Sequence, residues 1–253
     1  MVKIYYSKTK EEAGLKAAKS VAATIDAKPT ALLGLATGSS PIPMYTELAK
    51  MYNEGKLSFK DCVSVNLDEY VGLSPDHDQS YAYFMNDNLF SKIDIDIAKT
   101  NLPSGIAPDP VAECERYNAL LNTLGPQDVQ ILGIGHNGHI GFNEPSDRFP
   151  QKTELVYLTE STVKANARFF ASEKDVPTSA LSMGIGQILR AKKIILLANG
   201  EAKAEILDKA LFGDVTPRVP ASILQFADCV EVYADEEALS VIIAKHGENA
   251  VIR

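Results

Sequence analysis

The stretch VQILGIGHNGHIGFNEP, residues Val129–Pro145, is the part of the chain from which we interpret the fold. It opens with an apolar run, Val129–Ile134, which is typical of a strand covered on both faces. Four glycines surround the polar residues that follow. So many glycines after a buried strand predict a tightly folded loop in which the backbone approaches a ligand. The polar residues of that loop are His136, Asn137, His139, Asn143 and Glu144.

Similar apolar runs alternate along the chain with longer amphipathic stretches. The runs that we predict as strands are Lys3–Tyr6, Ala31–Leu35, Cys62–Leu67, Val129–Ile134, Glu154–Leu158, Lys193–Ala198 and Val230–Tyr233. One helix is predicted from an apolar stripe of Leu15, Ala18, Ala22 and Ile25. Three more are predicted over Asp109–Leu124, Gly200–Leu211 and Glu236–Ala244. This alternation predicts an α/β fold with a mostly parallel sheet sandwiched by helices.

The 253 residues are interpreted as one domain, 1–253, because no repeat or flexible linker divides them. Phe142–Gln151 is the irregular exception, with Pro145 and Pro150 among polar residues. It is predicted to be a surface loop, and with Tyr157–Thr178 it could form a lid over residues 145–178. An ordinary surface excursion is the alternative.

Charge and cysteine content exclude several classes of function. The 25 Lys and Arg against 33 Asp and Glu give a net charge of −8, so neither a nucleic acid nor an anionic membrane is expected as a partner. An anionic ligand would then need a locally positive site. Cys62, Cys114 and Cys229 are odd in number and far apart, which favours a reducing compartment. Without a signal-peptide or membrane-spanning stretch, we expect a soluble, cytoplasmic protein.

The segment after the second predicted strand has the composition of an anion site. In ATGSSP, residues 36–41, a glycine lets backbone N–H groups approach an anion and two hydroxyls add donors. A helix that begins at Pro41 adds its partial positive charge. The segment lacks the Lys of a Walker loop and the glycine spacing of a dinucleotide fingerprint, so neither ATP nor NAD is indicated. The candidates are Gly38, Ser39 and Ser40, and an ordinary Gly-Ser turn is the alternative.

Carboxylates and a histidine follow the next strands. Asp68 and Glu69 end the third predicted strand, so at least one of them is expected to face the crevice beyond the sheet, although an acidic turn or helix cap remains open. His139 and Glu144 are five residues apart. If the loop folds back, the carboxylate can orient the histidine for proton transfer.

The remaining histidines and two cations complete the candidates. His136 and His139 have no suitable third ligand nearby, so no metal site is predicted. His136, like His77 and His246, is expected to take no part. Arg168 and Lys203 could each be a solvated surface charge, but Lys203 is the better placed because it opens a helix directly after a strand.

Five of these segments, taken in order, resemble the glucosamine-6-phosphate deaminase (isomerising) family. They are ATGSSP, LDEYVGL, GIGHNGHIGFNEP, NARFF and NGEAKA, and the likeness runs from about Ala31 to Leu224. LDEYVGL and GHIGFNEP together are the most specific. The resemblance implies a Rossmann-like α/β sandwich, the fold that this family shares with 6-phosphogluconolactonases.

The resemblance also implies the reaction: in amino-sugar catabolism, glucosamine 6-phosphate and water become fructose 6-phosphate and ammonia, with neither metal nor organic cofactor. Asp68 would move a proton from C2 to C1, and His139, held by Glu144, would open the pyranose ring. The phosphate site would be Gly38, Ser39, Ser40, Arg168 and Lys203.

Asn137 is a departure, because many members have Asp there. Its side chain can still accept a hydrogen bond from the imidazole, but it carries no charge to stabilise imidazolium. The pH profile is therefore expected to differ from that of Asp-bearing members.

Two other functions remain open. A 6-phosphogluconolactonase would need no base at C2, and that family typically continues as GHTASLFP where this chain has GHIGFNEP. A non-catalytic sugar-phosphate sensor would carry a DNA-binding segment, and no basic helix-turn-helix pattern precedes Ala31. The oligomeric state is not indicated, since the family contains monomers and hexamers.

We predict that N-acetylglucosamine 6-phosphate does not activate this protein. Allosteric family members place an Arg-x-Lys pair on the strand after the FNEP loop, and the positions reached without gaps here are Glu154 and Val156. A carboxylate and an isopropyl group cannot hold a phosphate, although Lys152 would come close in a shifted register. Velocity against substrate should be hyperbolic and unchanged by the acetylated compound apart from competition. A sigmoidal curve that the compound makes hyperbolic would contradict the prediction.

Overall fold

The structure is a computed structural model that describes the backbone of residues 1–253 and every side chain except those of Ser161, Ala165, Phe169 and Glu173. Its strands are β1 (Val2–Ser7), β2 (Leu32–Leu35), β3 (Val63–Asn66), β4 (Asp68–Tyr70), β5 (Thr100–Asn101), β6 (Val129–Gly133), β7 (Glu154–Tyr157), β8 (Ser179–Ser182), β9 (Ile194–Ala198) and β10 (Val230–Asp235). Its helices are α1 (Lys10–Ala27), α2 (Ile42–Asn53), α3 (Tyr81–Asn88), α4 (Pro110–Leu124), α5 (Glu160–Asn166), α6 (Ile185–Ile188), α7 (Ala204–Phe212) and α8 (Glu236–His246).

A parallel sheet in the order β1-β10-β9-β6-β2-β3-β5 forms the centre of the described chain. Helices flank it, and β2 and β9 are buried along their whole length, which explains why their sequences are continuously apolar. Helix α4 begins after Asp109, whose carboxylate accepts from two backbone N–H groups, and it ends at Gly125 with a φ of 81°. The predicted α/β fold is confirmed.

Three strands were not predicted, and one predicted strand lies elsewhere. Strands β4, β8 and β7 form a separate antiparallel sheet, so the run predicted over Glu154–Leu158 does not belong to the parallel sheet. β4 and β8 are short and partly polar, so their sequences lack the apolar run of a buried strand. β5 is only two residues long. Backbone pairing with distant partners, which no local pattern reveals, defines these strands.

The stripe predicted for α1 is only partly correct. The buried residues of this helix are Ala13, Gly14, Ala17, Ala18, Val21 and Ile25. Leu15 and Ala22 lie at the edge of this face. Small residues form the face because α1 lies close to α2: a Cβ at Gly14 would be 2.6 Å from the Cβ of Pro43.

The segment predicted as a lid, residues 145–178, has defined structure. It contains β7, α5 and the 3₁₀ turns Ala167–Phe169 and Glu173–Asp175. Glu154 pairs with Arg148 at 2.8 Å, and Val156 packs against the cluster of Tyr70, Phe142 and Ala180. Closure of this segment stays a prediction. No helix in the described chain is both long and apolar enough for a membrane span.

Candidate active site

The main cavity opens where four neighbouring strands end. Since β9, β6, β2 and β3 are adjacent and parallel, the segments that follow them meet at one edge of the sheet. Chain order reverses between β6 and β2, because β9 and β10 extend the sheet on one side while β3 and β5 extend it on the other. The cavity has a volume of about 590 Å³ and is the position at which such sheets bind ligands.

Asp68 and Glu69 lie at the point where the chain leaves the parallel sheet. The N–H of Met183 donates to the carbonyl of Leu67, and β4 then pairs with β8. Because side chains alternate along a strand, Asp68 faces the cavity and Glu69 points away from it. Glu69 accepts from the backbone N–H groups of Tyr70, Tyr81 and Ala82, each at 2.9 Å, and so caps the start of α3.

The two carboxyl groups differ in their hydrogen bonds. Burial and, to a smaller extent, the charge of the nearby Glu69 together raise the pKa of Asp68 to about 8. Burial also raises the pKa of Glu69, but its three backbone donors oppose that rise. In the described part of the chain no donor reaches Asp68. The sequence-based expectation that at least one carboxylate faces the crevice is confirmed for Asp68.

The glycine-rich loop after β6 folds back on itself as predicted. The N–H of Gly135 donates to the carbonyl of His139 at 2.9 Å, and the side chain of Asn143 donates to the carbonyls of Ile140 and Met183, each at 2.8 Å. Asn143 thereby ties the loop to the end of β8. His139 and Asn137 line the cavity.

Glu144 is held beside His139 by donors from two different segments. The amide of Asn137 donates to Oε2 of Glu144 at 2.5 Å, and the hydroxyl of Thr162 on α5 donates to Oε1. Nδ1 of His139 lies 3.6 Å from Oε2, close enough for an ionic contact but beyond a hydrogen bond. Burial raises the pKa of Glu144, but the neighbouring His139 and the bonds from Thr162 and Asn137 outweigh it, so the pKa is lowered.

The expectation for Asn137 was wrong in detail. Its Oδ1 accepts from the backbone N–H of His139 at 3.2 Å and not from the imidazole ring. An asparagine side chain often accepts a hydrogen bond from the backbone N–H two residues later. Here this turn directs the amide of Asn137 toward Glu144. Asn137 therefore holds Glu144. An Asp at this position would place two carboxylates together, and one of them would have to keep a proton.

Arg168 and Lys203 lie near each other in the cavity lining and form what we call its cationic end. All the predicted phosphate-site residues line the cavity: Gly38, Ser39, Ser40, Arg168 and Lys203. Gly38 has a φ of 89°, a conformation that favours glycine. Burial and, to a smaller extent, the charge of Arg168 together lower the pKa of Lys203 to about 8. A bound anion would stabilise the charge of a half-buried lysine beside an arginine.

His136, which was expected to take no part, also lines the cavity near these cations. The charge of Lys203, burial, and the charges of Arg168 and His139 lower the pKa of His136.

Sequence reasoning also missed the residues that reach the cavity from α3 and α5: Tyr81, Thr162 and Asn166. Tyr81 stacks on Phe142 with centroids 5.9 Å apart, and both contact Tyr70. Asn166 donates to the hydroxyl of Tyr70 at 2.8 Å. The polar residues of NARFF were the only feature of the sequence that indicated a place for α5 in the site. Among the described side chains, no group of three His, Cys, Asp or Glu is arranged to hold a metal ion.

Comparison with known proteins places this geometry among sugar-phosphate enzymes. The family described as glucosamine-6-phosphate isomerases/6-phosphogluconolactonase matches residues 7–232. The chain is 57% identical to a glucosamine-6-phosphate deaminase of Lachnoclostridium phytofermentans, over 83% of this chain and 89% of that protein. It is 52% identical to a glucosamine-6-phosphate deaminase of Clostridioides difficile, over 91% of this chain and 92% of that protein.

Solved structures agree on the fold. A monomeric glucosamine-6-phosphate deaminase superposes with a TM-score of 0.92 at 46% identity and covers 94% of this chain and 99% of its own. A 6-phosphogluconolactonase of Trypanosoma brucei has a TM-score of 0.72 at 19% identity, over 95% of this chain and 98% of that one. At that identity the second likeness concerns the fold alone.

We predict that Gly135→Ala displaces the ring of His139. A Cβ at Gly135 would lie 2.3 Å from Cε1 of that ring, closer than atoms in contact can approach. The His139 ring resonances, among those of only four histidines, should shift in the NMR spectrum of the variant. Gly133→Ala is the matched control, because its nearest neighbour would be Ser40 at 3.9 Å. Unchanged His139 resonances in Gly135→Ala would contradict the geometry of this loop.

Proposed function

Because the chain belongs to the family of glucosamine-6-phosphate isomerases and 6-phosphogluconolactonases, we propose that it converts glucosamine 6-phosphate and water into fructose 6-phosphate and ammonia. The observation that carries the proposal is the buried carboxyl group of Asp68, which faces the cavity with no hydrogen-bond donor in the described residues. Lactone hydrolysis needs an activated water but no base at C2, whereas moving a proton between C2 and C1 depends on such a base. The relatives from Lachnoclostridium phytofermentans and Clostridioides difficile carry the same activity in their names.

The charge distribution of the cavity orients the substrate in this proposal. The phosphate occupies the cationic end, where Arg168 and Lys203 neutralise it and Gly38–Ser40 donate hydrogen bonds. The sugar ring then extends toward Asp68 and His139. An overall acidic protein holds an anionic substrate by this local concentration of positive charge.

The chemistry begins with ring opening. His139 moves the proton that opens the pyranose, and the Glu144 carboxylate stabilises the imidazolium formed in that step. Ring opening makes C1 an aldehyde, which acidifies the hydrogen on C2. Asp68 takes that proton and returns it at C1, which leaves a C2 imine. Water adds to C2, and ammonia departs as the ketone forms.

A base of this kind must hold a proton between the two transfers. A carboxyl group with a pKa of about 8 keeps the proton more readily than an exposed aspartate does, because burial without a donor disfavours its charge. Positioned general acid–base groups typically contribute ~10²–10⁴-fold in rate.

The proposal includes the sequence-based expectations about reaction class, pathway, location and partners. The enzyme is a hydrolase of a C–N bond that acts in amino-sugar catabolism in the cytoplasm. Its partner is the small sugar phosphate, with no nucleic acid or membrane involved, and the reaction uses no added metal or organic cofactor.

The proposed reaction can be tested directly. Purified protein incubated with glucosamine 6-phosphate should release fructose 6-phosphate and ammonia in equal amounts. One coupled assay measures each product. The same preparation should not hydrolyse 6-phosphogluconolactone faster than its spontaneous rate. Rapid lactone hydrolysis without ammonia release would overturn the proposal in favour of the lactonase.

We predict that Asp68→Asn lowers kcat by ~10²-fold or more while KM changes little, because the amide cannot take the C2 proton. Exchange of the C2 hydrogen with solvent, measured by NMR in D₂O, should be lost in parallel. Asp76→Asn is the matched control, since Asp76 is exposed and outside the cavity lining. An Asp68→Asn enzyme within a few-fold of the parent rate would remove Asp68 from the mechanism.

We also predict a bell-shaped dependence of kcat/KM on pH with its maximum near pH 8. Asp68 acts as a base only when ionised, so activity rises as pH approaches its pKa of about 8. Lys203 binds phosphate best when protonated, so activity falls above its own pKa of about 8. Lys203→Arg should keep the rising limb and weaken the falling one, because guanidinium stays charged. A profile that is flat between pH 6 and pH 9 would contradict both assignments.

A further inference from the structure

We propose that Thr162 is a positioning residue that couples the phosphate-binding end of the cavity to the Glu144–His139 pair. The inference rests on the proposed function and assigns a role to a residue that the reaction itself does not name. In the proposed reaction, Thr162 neither binds the phosphate nor moves a proton. It connects the two groups that do.

The first step is the contact between Thr162 and Glu144. The Thr162 side chain is only 5% exposed, and its hydroxyl donates to Oε1 of Glu144. The same hydroxyl accepts from the hydroxyl of Thr159, the residue that caps α5, at 3.1 Å. Since a hydroxyl has one proton, the proton of Thr162 is committed to the carboxylate. The start of α5 is thus linked to Glu144 by two hydrogen bonds in series.

The second step is the continuity of α5 with Arg168. The 3₁₀ turn Ala167–Phe169 follows α5 without a break, and the N–H of Ala167 donates back to Val163. Arg168 on this turn lines the cationic end of the cavity. A phosphate held by Arg168 therefore restrains the same helical run that carries Thr162.

The run has one further anchor near the catalytic base. Asn166 donates to the hydroxyl of Tyr70, which lies two residues beyond Asp68 on β4. One short element, residues 160–169, consequently contacts the segments that carry both the proposed base and the proposed ring-opening pair.

The third step is what Thr162 does for Glu144. Its two oxygens have separate donors, Thr162 at Oε1 and Asn137 at Oε2, and these fix the plane of the carboxylate. Nδ1 of His139 is buried, has no hydrogen-bond partner in the described residues and lies 3.6 Å from Oε2. Without Thr162 the carboxylate can rotate about its last side-chain torsion, which has a broad energy minimum, and lose its alignment with this nitrogen.

Binding energy from the phosphate would then contribute to turnover as well as to affinity. Phosphate on Arg168 restrains α5, and α5 holds Glu144 in the orientation that serves His139. Interactions with a remote part of a substrate can be used in this way to orient groups at the reacting centre.

The test compares Thr162→Val, which keeps the shape and removes the hydroxyl, with Thr162→Ser, which keeps the hydroxyl. Thr162→Val should lose roughly 10- to 100-fold in kcat with KM within about threefold, as expected when a hydrogen bond to a charged group is removed. Thr162→Ser should retain most of the parent kcat. Thr123→Val, which removes a hydroxyl from the exposed face of α4, is the control for helix destabilisation.

A second measurement separates coupling from simple damage. Unphosphorylated glucosamine should be deaminated slowly by the parent enzyme and faster when inorganic phosphite is added to fill the cationic end. Thr162→Val should bind phosphite yet lose this activation, whereas Thr162→Ser should show it.

Three results would overturn the inference while leaving the proposed function intact: an unchanged kcat in Thr162→Val, an equal loss in Thr162→Ser, or phosphite activation that survives in Thr162→Val. A parent protein that releases no ammonia from glucosamine 6-phosphate would overturn the proposed function and this inference with it.

Discussion

Two adjacent carboxyl groups, Asp68 and Glu69, are buried where the parallel sheet passes into the small antiparallel one, and the rest of the site depends on how the fold treats them. Burial of an ionised carboxyl group is costly unless hydrogen bonds compensate for it. Glu69 receives three backbone N–H groups and becomes part of the framework that joins β4 to α3. Asp68 receives none from the described residues, and its pKa rises to about 8. The same strand thereby supplies a structural anion and a candidate base, and the alternation of side chains decides which is which.

Glu144 is a third carboxylate, and its neighbours lower its pKa although it is largely buried. Donors from Asn137 and Thr162 reach its two oxygens, and His139 stands nearby. An amide at position 137 suits this arrangement because its N–H donates a hydrogen bond to the carboxylate, whereas an ionised carboxylate could only accept one. Asn137 is therefore compatible with a reactive His139, but it acts through Glu144 and does not contact the imidazole ring.

Charge is segregated along the cavity. Asp68 lines the cavity, and so do the cations Lys203 and Arg168, although the protein as a whole is acidic. Asp68 follows β3, Lys203 follows β9, and Arg168 lies on the helical residues 160–169. A substrate with an anion at one end and an ionisable carbon centre at the other matches this arrangement.

The sequence by itself determined the α/β class, because buried parallel strands need continuous apolar runs, and it located the site, because polar and glycine residues interrupt the chain just beyond those runs. That pattern made Asp68, His139, Glu144, Lys203 and the loop at Gly38 candidates, and the resemblance to a known family gave their expected roles. Only the tertiary structure decided that Glu69 is structural, that Asn137 bonds Glu144, and that Thr162 belongs to the site. Those outcomes depend on contacts between segments far apart in the chain and on the antiparallel pairing of β4 with β8, for which no local pattern of residues exists.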